Sequence, residues 1–206
     1  ICQPTRAVWM TGRYPHRNGA LGFDPIRPDV PTLLETLHDA GYYTGIFAKV
    51  KHVVPSREAS WDVKVSAEEL RHGRGPQRYY QSAARFFQEA KSRQQRFFLM
   101  ANSQDPHRPF AGSAQEKNRK KQPIDYPPVS RKYQPDEVTI PGFLPDLPAV
   151  RKEIAEYYTS VHRADEIVGS VLQALTESGL EDDTLVMFLS DHGMPLPFAK
   201  TNCWYH

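Results

Sequence analysis

The chain has 206 residues, 39% hydrophobic and 24% charged, enough for one sizeable core and little more. A formal net charge of +2 gives no electrostatic reason to expect nucleic acid or a membrane surface as partner, and no apolar stretch approaches the roughly 20 residues of a membrane span. Two cysteines, Cys2 and Cys203, make neither a disulfide framework nor a zinc pattern. The chain opens at Ile1 rather than Met and enters its densest motif at once, so sequence upstream is expected to be missing, and the lack of a secretory signal says nothing of compartment.

Residues 4–11 predict a short helix with Pro4 in its first turn and Gly12 at its end. Cys2 would then sit beside a helix N-terminus, where backbone N–H groups favour anions. Leu33, Leu34 and Leu37 recur at helical spacing within 30–40, after Pro31 and before Gly41, and 43–48 reads as a buried strand. The alternation repeats with a helix over 79–90, where Ala83, Phe86, Phe87 and Ala90 share a face, and an apolar strand over 97–101. A long helix over 150–175 carries Val150, Ile154, Tyr157, Val161, Val168, Leu172 and Leu175 on one stripe and stops at Gly179. A last apolar strand is expected over 185–189. Short continuous apolar strands separated by helices predict an α/β fold, a mostly parallel sheet covered by helices on both faces.

Residues 105–148 differ in character, holding nine of the 18 prolines together with a basic run at 117–121. That composition does not sustain a helix or a central strand, and it reads as a proline-stiffened excursion bordering a site, with a solvated insertion as the alternative. The chain has no repeat at solenoid spacing.

Polar clusters follow the strand ends: Lys49 and His52 after 43–48, Asp105, His107 and Arg108 after 97–101, Asp191 and His192 after 185–189. In open α/β sheets ligands bind beyond the carboxyl ends of the strands, so three segments are expected to converge on one rim. Taken singly, each has a plainer reading. Cys2 alone is a small buried hydrophobe, Asp191-His192-Gly193 is a turn, and Lys49, His52 and His107 are loop residues.

The run Cys2-Gln3-Pro4-Thr5-Arg6 with Met10-Thr11-Gly12 resembles the signature that marks a cysteine for conversion to formylglycine. With Arg13-Tyr14-Pro15-His16, the stretch Thr44-Gly45-Ile46-Phe47-Ala48-Lys49, the stretch Asp105-Pro106-His107-Arg108-Pro109-Phe110, and Ser190-Asp191-His192-Gly193-Met194-Pro195 leading to Lys200, essentially the whole chain resembles a type I sulfatase catalytic domain. This is the alkaline-phosphatase-like superfamily, a three-layer sandwich, and the similarity is greatest to its sulfamidase and iduronate-sulfatase-like branch.

The resemblance implies that Cys2, as formylglycine, is the nucleophile, its hydrated aldehyde offering two hydroxyls on one carbon. Arg6 would hold that diol with a fixed guanidinium, and Lys49 and Lys200 would bind sulfate oxygens. His52 would take a proton from the second hydroxyl, and His107, beside the leaving group, would be the general acid and a substrate contact. Asp191, His192 and the modified Cys2 would belong to a divalent-metal site, with calcium expected first. Many sulfatases have asparagine at the position of His192, and imidazole suits manganese or zinc better than calcium. Thr5 stands where serine or alanine is usual, and two residues rather than one separate Lys49 from His52, which leaves Lys51 as an alternative sulfate contact.

The family's early aspartate pair would precede Ile1 and its smaller C-terminal subdomain would follow His206, so this chain alone is not expected to turn over. The implied partners are a sulfated saccharide, cleaved at an O–S or N–S bond, and the enzyme that generates formylglycine, with no nucleic acid and no membrane span. The implied setting is periplasmic, extracellular or lysosomal. Two other readings stand beside this one: a phosphonate or phosphodiester hydrolase of the same superfamily, and a non-catalytic remnant that binds anionic glycan.

Overall fold

Tyr43–Phe47, an apolar run buried along its whole length, is the central strand of a three-stranded parallel sheet. The computed structural model describes residues 1–53, 60–117, 124 and 126–200. Cys203 and residues 118–121 of the basic run lie outside them. In chain order the elements are α1 (Cys2–Thr11), α2 (Pro15–Asn18), α3 (Leu33–Asp39), β1 (Tyr43–Phe47), α4 (Val50–Val53), β2 (Val63–Val65), α5 (Pro76–Arg93), β3 (Phe97–Ala101), α6 (Ala114–Lys117) and α7 (Pro148–Ser178). β1 lies between β2 and β3, Gly45 pairing with Val63 on one side and Leu99 on the other.

Alternate side chains of β1 serve opposite layers, as the two-residue period of a strand requires. Tyr43 and Phe47 pack with Phe86 and Phe87 of α5 and with Ile167 and Leu175 of α7. Ile46 packs on the other face with Ala7 and Met10 of α1 and Leu34 of α3. The expected helix, sheet, helix sandwich is therefore present, with one core on each face of the sheet. Gly45 lets α5 come close, since a Cβ there would lie 2.5 Å from Phe86 Cε2.

Local chemistry sets the helix ends. The first helix begins at Cys2, two residues earlier than expected, so Cys2 lies within its first turn rather than ahead of it. α3 is shorter than expected because Thr32 and Glu35 form a capping box, Glu35 N–H donating to Thr32 Oγ1 at 3.3 Å and Thr32 N–H to Glu35 Oε2 at 2.9 Å. α5 ends without a glycine, at Gln94 in the left-handed region (φ 54°).

The expected strand over 185–189 is not formed. Both sides of β1 are taken by β2 and β3, no described strand lies alongside 185–189, and its side chains stand in solvent, Leu185 at 85% and Phe188 at 77% exposure. An apolar run creates a demand for cover, but only a neighbouring strand satisfies its backbone groups.

The proline-rich segment is folded onto the first half of α7. Val138 packs with Ile154, Ala155 and Leu196, flanked by Tyr133, Ile140 and Leu144. Helix side chains take up loop backbone groups: Ala111 N–H donates to Ser160 Oγ at 2.8 Å, Tyr133 N–H donates to Thr159 Oγ1 at 3.1 Å, and Arg151 Nη1 donates to the Pro135 carbonyl at 3.1 Å. Against the expectation that this stretch sustains no helix, it forms the single turn of α6, where prolines are absent from 110–122; its other described residues are held largely by such bonds to α7.

Candidate active site

Cys2 and Arg6 are four residues apart on α1 and so share a face. The buried Arg6 guanidinium donates through Nη2 and Nε to Asp191 Oδ2, at 3.0 and 3.2 Å, and through Nη1 to Asn102 Oδ1. Asp191 is thereby brought to the rim although its preceding segment forms no strand. Cys2 Sγ lies 3.9 Å from His52 Nδ1 on α4.

Between β1 and α4 the chain bends through Ala48 and Lys49, both left-handed at φ 52° and 53°. Such a conformation costs a non-glycine residue about 1 kcal/mol or more and persists only when its surroundings hold it. Here Ala48 N–H donates to the Val65 carbonyl at 2.9 Å, and the Asn102 amide donates to the Phe47 and Ala48 carbonyls at 3.0 and 3.4 Å. The bend puts Lys49 within the field of Cys2, Arg6 and Asp191. Lys51 is exposed on α4, which favours Lys49 over the alternative.

The electrostatics tie these groups together. Burial comes first in holding the His52 imidazole below its ordinary value, and the positive charges of Lys49 and Arg6 push the same way. The His107 ring is crowded although the residue as a whole is exposed, and this desolvation lowers its pKa most; the Arg108 carbonyl opposes, while Lys49 and Lys200 lower it further. Burial also lowers the Lys49 ammonium, with Cys2 and Asp191 opposing. Cys2, Arg6, Lys49, His52, His107, Asp191 and Lys200 thus feel one another. Arg6, Lys49 and Lys200 set against Asp191 suit a compact anion.

His192 donates through Nδ1–H to the Gly193 carbonyl at 2.9 Å, because a carbonyl only accepts. Its Nε2 faces Asp191 Oδ1 at 3.4 Å. This pair can share a proton between them or, through the Nε2 lone pair of the neutral ring, a cation. Asp191 Oδ2 already carries Arg6, and among the described residues no group of three His, Cys, Asp or Glu side chains comes together. The described residues therefore offer part of a metal shell and do not by themselves fit a complete one; Cys2 is not gathered with Asp191 and His192 into a three-ligand group. Gly193 keeps this loop tight, since a Cβ would fall 1.8 Å from the Ala199 carbonyl oxygen, next to Lys200.

Asp105 follows β3 but does not reach the rim. Its fully buried carboxylate accepts from Arg163 of α7 at 2.6 and 3.3 Å and pairs with Arg74, whose Nη2 donates to the His107 carbonyl at 3.0 Å. Asp105 thus anchors the loop that presents His107. Asn102, Arg74 and Arg163 were not singled out from the sequence. The available signal for Asn102 was its position as the first residue after β3, on the same rim as Lys49.

A family model described as Sulfatase matches residues 1–205. The N-sulphoglucosamine sulphohydrolase of Homo sapiens is 36% identical over 227 residues, covering 99% of this chain and 43% of that protein. An endo-4-O-sulfatase of Bacteroides thetaiotaomicron is 24% identical, covering 98% of this chain and 49% of that protein. A solved structure from Bacteroides thetaiotaomicron, described for its metabolism of multiple glycosaminoglycans, shares the fold with a TM-score of 0.62 at 18% identity over 94% of this chain and 49% of that one. The chain spans less than half the length of either curated relative.

Proposed function

Because the chain belongs to the sulfatase family, we propose that it is part of a catalytic domain that removes sulfate from a sulfated saccharide by hydrolysing a sulfate ester or a sulfamate. The observation that carries this reading is the meeting of Cys2, Arg6, His52 and Lys49, delivered by α1, α4 and the bend after β1, with Cys2 Sγ 3.9 Å from the His52 ring.

Family membership implies formylglycine and a divalent metal. We place the first at Cys2. For the second, Asp191 and His192 are this chain's contribution, with calcium first and manganese or zinc as the alternatives that the imidazole suits. The hydrated aldehyde supplies two hydroxyls on one carbon, one to attack sulfur and one whose deprotonation later releases sulfate.

We assign the remaining roles to Arg6, Lys49, Lys200, His52 and His107. Arg6 stays charged and offers a rigid fork to the anionic oxygens that develop beside Cys2. Lys49 and Lys200 hold the sulfate, and the strained backbone at Lys49 spares it a search for its position. His52, kept neutral by burial and by Lys49, accepts the proton of the second hydroxyl. His107 gives a proton to the leaving oxygen or nitrogen.

Sulfur rather than phosphorus is favoured because the relatives are named for sulfate removal, the human one from a sulfated glucosamine. The test uses the full-length protein from a host that makes formylglycine. The peptide containing Cys2 should have lost sulfur and gained an aldehyde oxygen, and an N-sulfated or O-sulfated glucosamine saccharide should be hydrolysed faster than a phosphodiester or phosphonate monoester. The opposite ranking overturns the sulfatase reading. Tight binding of sulfated saccharide with an unmodified Cys2 and no hydrolysis would establish the glycan-binding reading instead.

A further inference from the structure

Arg108 follows β3 together with Asp105 and His107, and neither the proposed reaction nor the buried pairing of Asp105 employs it. It has two separate holds on its surroundings. Its carbonyl accepts from His107 Nδ1–H at 2.7 Å. That bond fixes the tautomer of the ring and leaves Nε2 as the nitrogen that carries a transferable proton. Burial lowers the pKa of the ring, and the same carbonyl opposes it by favouring the protonated form. The Arg108 guanidinium points elsewhere: Nη2 donates to Glu153 Oε1 of α7 and, at 3.3 Å, to the Pro195 carbonyl, and the group lies over the Phe110 ring at 4.5 Å.

Pro195 stands between His192 and Lys200, and the adjoining Leu196 is buried against Ile154 and Ala155 of α7. On the other side, the chain around His107 is fastened at both ends. Asp105 is held by Arg163, Phe110 meets Tyr157 of α7 edge-on at 5.5 Å, and Ala111 N–H donates to Ser160 Oγ at 2.8 Å. α7 is thus a common floor for the loop of His107 and the loop of Asp191, His192 and Lys200, and Arg108 holds both loops to it at once. A planar guanidinium, with several donors in fixed directions, suits such a three-way tie better than a point charge does. The Arg108 and Glu153 side chains keep 38% and 40% of their surface in solvent, so the pair adds little to the stability of the fold.

We propose that Arg108 is a positioning residue that sets the acid His107 in register with the loop that carries Lys200. As the bond from sulfur to the leaving oxygen or nitrogen breaks, its electron pair passes to that atom, which takes the proton from His107 Nε2, while Nδ1–H stays on the Arg108 carbonyl. The proton donor has to face the leaving group of a sulfate that Lys200 holds, and a misplacement of about 1 Å between such groups costs about a hundredfold in rate. This inference rests on the sulfatase reading and on His107 as its acid.

The full-length enzyme bearing formylglycine is assayed on a nitrophenyl sulfate, whose leaving group departs without a proton, and on a sulfated glucosamine, whose leaving group needs one. Inorganic sulfate serves as the inhibitor. His107→Ala should slow the glucosamine substrate by about a hundredfold and the nitrophenyl sulfate by less than about threefold, with the Ki of sulfate unchanged. Arg108→Gln should slow the glucosamine substrate by about tenfold and the nitrophenyl sulfate by less than about threefold, and should raise the Ki of sulfate about threefold because Lys200 shifts with its loop. Arg108→Lys, which keeps the charge, should recover part of both losses. Both Arg108 variants should melt within about 3 °C of the parent, and a larger fall marks Arg108 as a structural residue and overturns the proposal. In the His107→Ala background, which tests the same coupling on the glucosamine substrate alone, Arg108→Gln should slow hydrolysis by no more than about a further threefold. Equal slowing of both substrates by Arg108→Gln, a change in only one of rate and Ki, or the full tenfold loss in the His107→Ala background overturns the tie and leaves the sulfatase reading intact. Equal slowing of both substrates by His107→Ala removes the acid on which the inference rests, and hydrolysis of neither substrate by the parent overturns the sulfatase reading itself.

Discussion

Asn102 Oδ1 accepts a hydrogen bond from Arg6 Nη1 across 96 positions of sequence, while the same side chain's amide donates to the carbonyls of Phe47, Ala48 and Met100. One buried amide thus sets both the guanidinium beside Cys2 and the bend that delivers Lys49. Asn102→Ala removes the side-chain partner of the Ala48 carbonyl and of an Arg6 N–H, while the Phe47 carbonyl keeps the backbone N–H of residue 102, at a cost of about 1–3 kcal/mol. The expected result is a loss of stability of that size and a fall in kcat/KM of about tenfold or more. Asn102→Asp keeps the acceptor for Arg6 but turns a carboxylate toward the Phe47 and Ala48 carbonyls, so it should affect KM, through Lys49, more than it affects Arg6. Unchanged kcat/KM in both variants would show that Asn102 holds neither group.

Lys49 lowers the pKa of both His52 and His107, after burial in each case. Replacing it by glutamine removes that charge, so both imidazoles should titrate at higher pH when followed by NMR, whereas Lys51→Gln, on the exposed side of α4, should leave them where they are. The sign carries into stability. With folded pKa values below the ordinary 6.5, the unfolded chain takes up protons first as pH falls through 6.5, and the fold is destabilised until the depressed values are passed. Lys49→Gln should therefore lose less stability between pH 7 and 5 than the parent. The same shifts put both limbs of the kcat/KM profile on the acid side of 6.5, because His52 must be neutral and His107 protonated.

The parts of this protein that were legible in its sequence are those carried by neighbours along the chain. Cys2, Pro4, Arg6 and Gly12 form one local pattern, and Lys49, His52 and His107 stand just beyond apolar runs, where a parallel sheet places its ligands. What was not legible depends on partners far away. Asn102 looks like an ordinary turn residue until Arg6 is brought to it, and Asp105 looks like a rim carboxylate until Arg163, 58 residues on, buries it. β2 is only three residues long, too short for its alternation to register. The run 185–189 shows the converse: its composition asks for a sheet, and composition cannot supply the neighbour.

Asp105 bears on stability most directly. Its carboxylate is the common counter-charge of Arg74 and Arg163, side chains that are almost wholly buried. Asp105→Asn keeps the shape and removes the charge, leaving two guanidinium groups together in the interior, an expected cost of about 3–5 kcal/mol in urea unfolding. Arg163→Lys should cost less, since the charge stays and only the fork is lost. A change within about 1 kcal/mol for Asp105→Asn would mean that Glu116, 3.7 Å from Arg163, already supplies the compensation.

Gly45 tests the layering itself. It is the middle residue of β1, and a Cβ there would lie 2.5 and 2.9 Å from two atoms of the Phe86 ring and 3.1 Å from Leu99 Cδ1. Neither neighbour moves easily: Phe86 is wedged among Tyr43, Phe47, Phe87 and Phe97, with ring centroids 4.9 to 6.4 Å apart, and Leu99 belongs to the adjacent strand. Gly45→Ala should then push α5 outward and destabilise the fold by about 1–3 kcal/mol, in spite of the usual entropic gain from replacing a glycine. Because the clash is with one ring, Gly45→Ala combined with Phe86→Leu should be less destabilised than the sum of the two single changes, by about 0.5 kcal/mol or more in urea melts. Simple additivity would mean that α5 does not depend on this contact for its distance from the sheet.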